Sequence, residues 1–384
     1  MTAMTPNDRF PVDIPGRRRF LGMCAAASLL GVTSARAQSV GASPSPISST
    51  SSTYALTSPG DAESLVSRVD KGAAATVVRQ AGASLGRASH VMPVVHTQGL
   101  LPHQGNRDAS VLAQGDWRET AVQAAAWRLS GNEAHFERAA SYVTEWLAVY
   151  RPSFDPIDET EIATWISGFD LIAARLPAET TAAMRAFGAQ LADGYNAVPH
   201  RVGDHSTGLN NWHSHRVKLA TAGAFVSGDS ERIAAARERF FAHVDSNIRD
   251  DGSTYDFSQR DAMHYVVYTL EPMLMAATMA AAHGEDWYGA QRSAGKLARA
   301  LAWLQPYATG ERTHEEFVHS SVPFDQRRAA AGVKGFSGQW HPEASATVYA
   351  MATKLDERFR PVSDLLRAPA IVRTMYSKSY ARGA

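Results

Sequence analysis

Apolar side chains recur at helical spacing along most of this chain, and that pattern leaves few folds open. Phe136, Ala140, Val143, Leu147 and Tyr150 stand at steps of four, three, four and three residues, which marks one face of an α-helix. Pro152 ends the run, because it lacks an N–H and its ring clashes with the preceding turn. Comparable runs cover residues 116–129, 159–175, 178–195, 209–226, 229–247, 260–282, 287–304 and 342–356. No alternating series is long enough for a large sheet, and no fixed repeat period recurs. The expectation is an all-α chain whose helices pair through short loops in a single-domain, incomplete (α/α) toroid, a helical barrel. At 45% hydrophobic and 20% charged residues, 384 residues suffice to fill such a core.

The N-terminus reads as an export address. Arg17-Arg18-Arg19-Phe20-Leu21 is a twin-arginine start, Cys24 to Val32 is apolar but too short to span a bilayer, and Ala35-Arg36-Ala37 is a small-x-small cleavage signal. Residues 1–37 are therefore expected to be a Tat-type signal peptide cut after Ala37, leaving a periplasmic or secreted protein with no membrane segment. Residues 38–58 are rich in Ser, Thr and Pro and read as a solvated linker, and 59–384 form the folded domain. Cys24 is the single cysteine, so the exported chain has neither a disulfide nor a Cys-based metal site. Lys and Arg total 38 and so do Asp and Glu, which gives no sign of a nucleic-acid partner.

Four segments gather polar and aromatic groups beyond what connectors need. One loop, 96–108, carries His96 and Arg107; another, 315–328, carries His319 and Arg328. The third segment is Asn210-Asn211-Trp212-His213-Ser214-His215-Arg216, leading into an apolar helix. Its amides and imidazoles can donate to an anionic oxygen, neutral histidine can accept a proton, and Trp212 offers a flat face to a sugar ring. One Asn of the pair also suits a helix N-cap. The fourth starts at an Asp251-Gly252 turn and includes Tyr255; as one helix from residue 260, it puts Arg260, Asp261, His264, Tyr265 and Tyr268 on one polar arc. Pro272 is expected to break or kink that helix after Glu271. His213-x-His215 points its rings apart on a helix, and no carboxylate–His signature accompanies it, so no metal and no cofactor are expected. Asp155, Asp158 and Glu159 keep a glycoside hydrolase open as an alternative, beside a non-catalytic oligosaccharide-binding protein.

These motifs, in this order, resemble the alginate lyase superfamily of polysaccharide lyases. Its mannuronate-specific members carry Asn-Asn-His at a helix start and, later, Ala-Leu-x-Tyr-His-x-Tyr-x-Leu-x-Pro-Leu. Here the counterparts are Asn210-Asn211-Trp212-His213, with Trp212 interposed, and Ala262 to Met273. The resemblance implies a helical toroid that cleaves an anionic polysaccharide of the alginate, polymannuronate or polyglucuronate type by β-elimination. It implies catalytic roles for Asn211, His213, Arg260 and Tyr265. Asn211, Arg260 and His213 would stabilise the enolate-like charge, and either His213 or Tyr265 would serve as base. Substrate contacts fall to His96, Arg107, Asn210, Trp212, His215, Tyr255, His264, Tyr268, His319 and Arg328.

The export segment makes the first prediction. Mass determination of periplasmic material should show a chain starting near Gln38, and lysine at both Arg17 and Arg18 should impair export, because the arginine pair is read by a receptor. An intact N-terminus found only in the cytoplasm would contradict this.

Overall fold

The computed structural model describes residues 53–198 and 207–377; the signal segment, Cys24 and most of the expected linker lie outside the described residues. Sixteen α-helices appear among the described residues, with isolated β-bridges and no strand. Two short helices, α1 (Pro59–Glu63) and α2 (Leu65–Arg68), lead into α3 (Lys71–Ser84), α4 (Arg107–Ser130) and α5 (Glu133–Val149). Next come α6 (Ile162–Ile172), α7 (Ala178–Ala197), α8 (Asn211–Ser227) and α9 (Ser230–Asn247). Beyond them lie α10 (Tyr255–Arg260), α11 (Met263–Ala282), α12 (Lys296–Ala308) and α13 (Pro323–Ala330). The chain closes with α14 (Ala346–Leu355), α15 (Arg360–Leu366) and α16 (Ala370–Met375).

Inner and outer helices alternate. Along the inner wall α4 packs on α6, α6 on α8, α8 on α11 and α11 on α14, while α16 bridges α14 back to α3 and α4. Outside, α5 backs α4 and α6, α7 and α9 back α8, and α12 backs α11. Helix α11 is long and apolar enough to cross a membrane, but here it is an inner wall packed between α8 and α14.

The inner helices are buried nearly all round, so amphipathic periodicity fades in them; α8 has every residue buried except Trp212. Its contact with α7 is a close one. A Cβ at Gly223 would lie 2.5 Å from the Gly188 carbonyl oxygen and 2.9 Å from the Ala192 nitrogen, and one at Gly188 would lie 2.9 Å from the Gly223 oxygen. Only paired glycines let these backbones meet.

Several expected boundaries move. The solvated linker ends early: Ala55, Leu56 and Thr57 are buried, and their three N–H groups all donate to the buried Asp170 carboxylate. Helix α4 starts at Arg107, and 323–330 is helical, so both polar loops end inside helices. The expected helix 260–282 is two helices. Asp261 takes a left-handed φ of 48°, and the Glu316 carboxylate accepts the N–H groups of Met263 and His264, capping a new start. Pro272 does not break the second one; α11 runs through it to Ala282, its packing on α8 and α14 offsetting the missing N–H.

Gly223→Ala is expected to lower stability by about 1–3 kcal/mol, because its methyl group meets backbone atoms that cannot step aside. Denaturant unfolding of the purified variant measures this; an unchanged midpoint would contradict the close α7–α8 contact.

Candidate active site

The site is organised by one buried carboxylate. Asp256, on α10, accepts the Asn211 backbone N–H (2.9 Å), the Asn211 side-chain amide (2.7 Å), the Asn247 amide (3.1 Å) and the Thr269 hydroxyl (2.8 Å). Asn211 opens α8, Asn247 closes α9 and Thr269 lies on α11, so four helix segments meet on one group. The Asn210 oxygen accepts the Trp212 N–H, which makes Asn210 the N-cap of α8. Both asparagines therefore serve the fold at this junction.

From that fixed start, α8 places its two histidines on opposite sides. His213 is fully buried, its ring 4.8 Å from that of His243 on α9, and its Nε2 lies 3.4 Å from an Arg239 guanidinium nitrogen. The expected catalytic His213 is thus turned to the outer layer. His215, one turn from Asn211, lines an interior cavity of about 460 Å³. It is only 3% exposed, and among the described residues no protein group takes either of its ring nitrogens. Burial, then nearby Lys218, pushes its pKa well below the ordinary histidine value, so it is a neutral imidazole.

Tyr268 on α11 faces His215, with ring centroids 4.3 Å apart. It lines both the interior cavity and a second, outer cavity of about 260 Å³, and Thr160 is shared in the same way. Burial, then Tyr265, Glu161 and Glu271, raise its pKa, so it keeps its phenolic proton. The outer cavity carries two cations, Arg107 at the start of α4 and Arg328 on α13, beside Thr97 and Gln98.

Tyr265 sits one turn away and differs in kind. It is 5% exposed, its hydroxyl accepts from Arg328 (2.9 Å), and the Arg260 guanidinium lies 3.9 Å above its ring. Arg260 itself is paired with the buried Asp325 at 2.6 Å, and Arg328 approaches the same carboxylate at 3.7 Å. Tyr265 and Arg260, both expected as catalytic groups, stand in a layer with Asp325 and Arg328 beside the outer cavity. Burial outweighs the two arginines and raises the Tyr265 pKa. His264 packs beside Tyr265 and Phe336 in this layer.

The other candidates are spread out. His96 bonds Asp158 at 2.9 Å and precedes the cleft residues Thr97 and Gln98, whose N–H groups the same carboxylate accepts. His319 is exposed and pairs with Asp261 at 2.7 Å, the Tyr255 hydroxyl accepts from Gln259, and Trp212 lies 5.8 Å from the Arg216 guanidinium. Of the three carboxylates considered for a hydrolase, Glu159 takes both the Tyr150 and Tyr195 hydroxyls, Asp158 holds the Thr97–Gln98 turn and Asp155 accepts the Ile157 N–H. Sequence reasoning missed Lys218, Glu161 and Glu271, which line the interior cavity. For Lys218 and Glu271 the usable signal was a charge inside an apolar helical run, three residues after His215 and after Tyr268 respectively. Among the described residues no group of three His, Cys, Asp or Glu side chains converges to hold a metal ion.

Comparison with known proteins follows this geometry. The family model described as alginate lyase matches residues 39–314. An alginate lyase structure from Bacteroides ovatus is similar over 82% of this chain and 96% of that one, with a TM-score of 0.60 and 16% identity. Alginate lyase A1-III from Sphingomonas species A1 is similar over 84% of this chain and 97% of that one, with a TM-score of 0.52 and 16% identity. A variant of alginate lyase A1-III complexed with tetrasaccharide covers 89% of this chain and 100% of its own, with a TM-score of 0.55 and 14% identity. At these identities the likeness shows the shared α/α toroid. No curated protein matches the chain by sequence.

Burial, aided by Arg328 and Arg260, lowers the His264 pKa to about 4. Between that value and the ordinary 6.5, the unfolded chain holds a proton here and the folded chain does not, so stability falls as pH drops through the window. His264→Gln is expected to flatten this limb in thermal midpoints taken from pH 7 to pH 4. An unaltered slope would contradict the assignment.

Proposed function

From the premise that this chain belongs to the alginate lyase family, and is a polysaccharide lyase, we propose that it cleaves a uronate-containing polysaccharide by β-elimination around Tyr268. The observation that carries the reading is the position of Tyr268. It stands where the two cavities join, against an imidazole to which no described residue hydrogen-bonds, and beside a cavity lined by Arg107 and Arg328. A relative with the same fold is complexed with a tetrasaccharide, which supports a saccharide in this cleft.

The chemistry follows from the charge states. A uronate C5–H is weakly acidic until its carboxylate is neutralised, and Arg107 and Arg328 are the cations placed to do that. Neutral His215 accepts the C5 proton; the anionic substrate beside it raises its basicity as the reaction proceeds. The C–H electron pair forms the C4–C5 double bond, the C4–O4 bond breaks, and the departing oxygen takes the proton that Tyr268 retains. Asn211, held by Asp256, fixes the start of the helix that carries His215. With the twin-arginine segment, this reading has the reaction take place in the periplasm or outside the cell.

Tyr268→Phe should lower kcat about 10²-fold or more on a panel of purified polyuronates, followed by the ultraviolet absorbance of the unsaturated product. Tyr265→Phe should leave turnover within about tenfold, since it removes one hydrogen bond to Arg328. The reverse ranking would return the proton transfer to Tyr265. Reducing ends without the unsaturated absorbance would mean hydrolysis.

A further inference from the structure

The cleft changes electrical character at Tyr268. The outer cavity is lined by Arg107 and Arg328 and by no carboxylate. The interior cavity is lined by two cations, Arg118 and Lys218, and two carboxylates, Glu161 and Glu271. The two charges of each sign offset one another: Arg118 lies 3.1 Å from Glu161, and Lys218, which donates to the Thr160 carbonyl at 2.6 Å, has Glu161 and Glu271 as its nearby opposite charges. Glu271 is different. Among the described residues no protein group donates a hydrogen bond to its carboxylate, although it is half-buried and lines the cavity. Much of the remaining wall is apolar, including Met275, Met351, Ile371 and Met375.

We infer that the interior cavity is a subsite for an uncharged sugar residue whose hydroxyls donate to Glu271, so that the substrate is a heteropolymer joining uronate to neutral sugar. The inference rests on the lyase reading above and narrows it, replacing the homopolymeric uronate that the family resemblance implies. A uronate in the interior cavity would add a third carboxylate to a lining whose two cations are already matched by Glu161 and Glu271, leaving a net negative charge that the outer cavity avoids. A neutral sugar adds no charge, supplies hydroxyl donors to Glu271 and lays its apolar face on the methionines. Elimination needs a carboxylate only on the residue that loses its C5 proton. The leaving residue departs with the glycosidic oxygen and one added proton, so nothing in the reaction requires it to be charged.

The test compares kcat/KM on three polymers at matched uronate concentration: polymannuronate, polyglucuronate, and a strictly alternating copolymer of glucuronate and N-acetylglucosamine. The alternating copolymer is expected to be preferred by about tenfold or more, the scale of a hydrogen bond to a charged group. Glu271→Gln is expected to shrink that preference by about tenfold, mainly through KM, with the thermal midpoint retained. Equal or better cleavage of a homopolymer by the wild-type protein overturns the inference and leaves the lyase reading standing. So does a folded Glu271→Gln variant with an unchanged preference. Should that variant not fold, the wild-type ranking alone decides. Cleavage of none of the three overturns the lyase reading of this cleft and the inference with it.

Discussion

The Asp256 carboxylate is the constraint on which the cleft depends. Among the described residues it has no counter-ion; four donors from three other helices stand in for one. Burial raises its pKa while those donors pull it down, a balance that holds only when all of them are in place. Hydrogen bonds to a charged group are each worth about 1.5–3 kcal/mol, so loss of one donor is felt at the others. Because Asn211 is bound through both backbone and side chain, the rotational setting of α8 is fixed at its first residue. His215, four residues on, inherits its direction from that setting.

The same device recurs around the inner wall. Asp170 gathers three successive N–H groups of the entering chain, Asp158 holds the Thr97–Gln98 turn at the outer cavity, and Glu316 starts α11. A toroid of helices leaves its connecting segments with unpaired backbone groups near the core, and buried carboxylates satisfy them. The cost is a crowd of acids inside the protein. Burial, then Tyr265, Glu161 and Glu271, keep Tyr268 protonated, while burial and Lys218 keep His215 neutral. Both charge states thus come from the same burial that stabilises the fold.

Much of the fold was legible because 3.6-residue spacing marks outer helices such as α5, which buries one face on α4 and α6. The inner helices were found as apolar runs, but their orientation was not. Nearly every residue of α8 is buried, so no apolar stripe shows which of His213 and His215 faces the interior cavity; that ring is His215. The split at Asp261 was invisible because the residue capping α11, Glu316, lies far along the chain. Treating 260–282 as one helix placed Arg260 on the same arc as Tyr268, whereas it belongs to the Asp325–Tyr265 layer. Arg107 and Arg328 were recognised from donor-rich loops, and both line the outer cavity. Lys218 and Glu271 were hidden by their apolar surroundings.

A crystal structure of the Tyr268→Phe variant with a bound uronate oligosaccharide tests the central claim most directly, since it reads the substrate's position without turnover. The account predicts a uronate carboxylate between Arg107 and Arg328, its C5 within reach of a His215 ring nitrogen and its O4 beside the ring of residue 268. A uronate seated instead against His213 or Arg260, with the interior cavity empty, would contradict it.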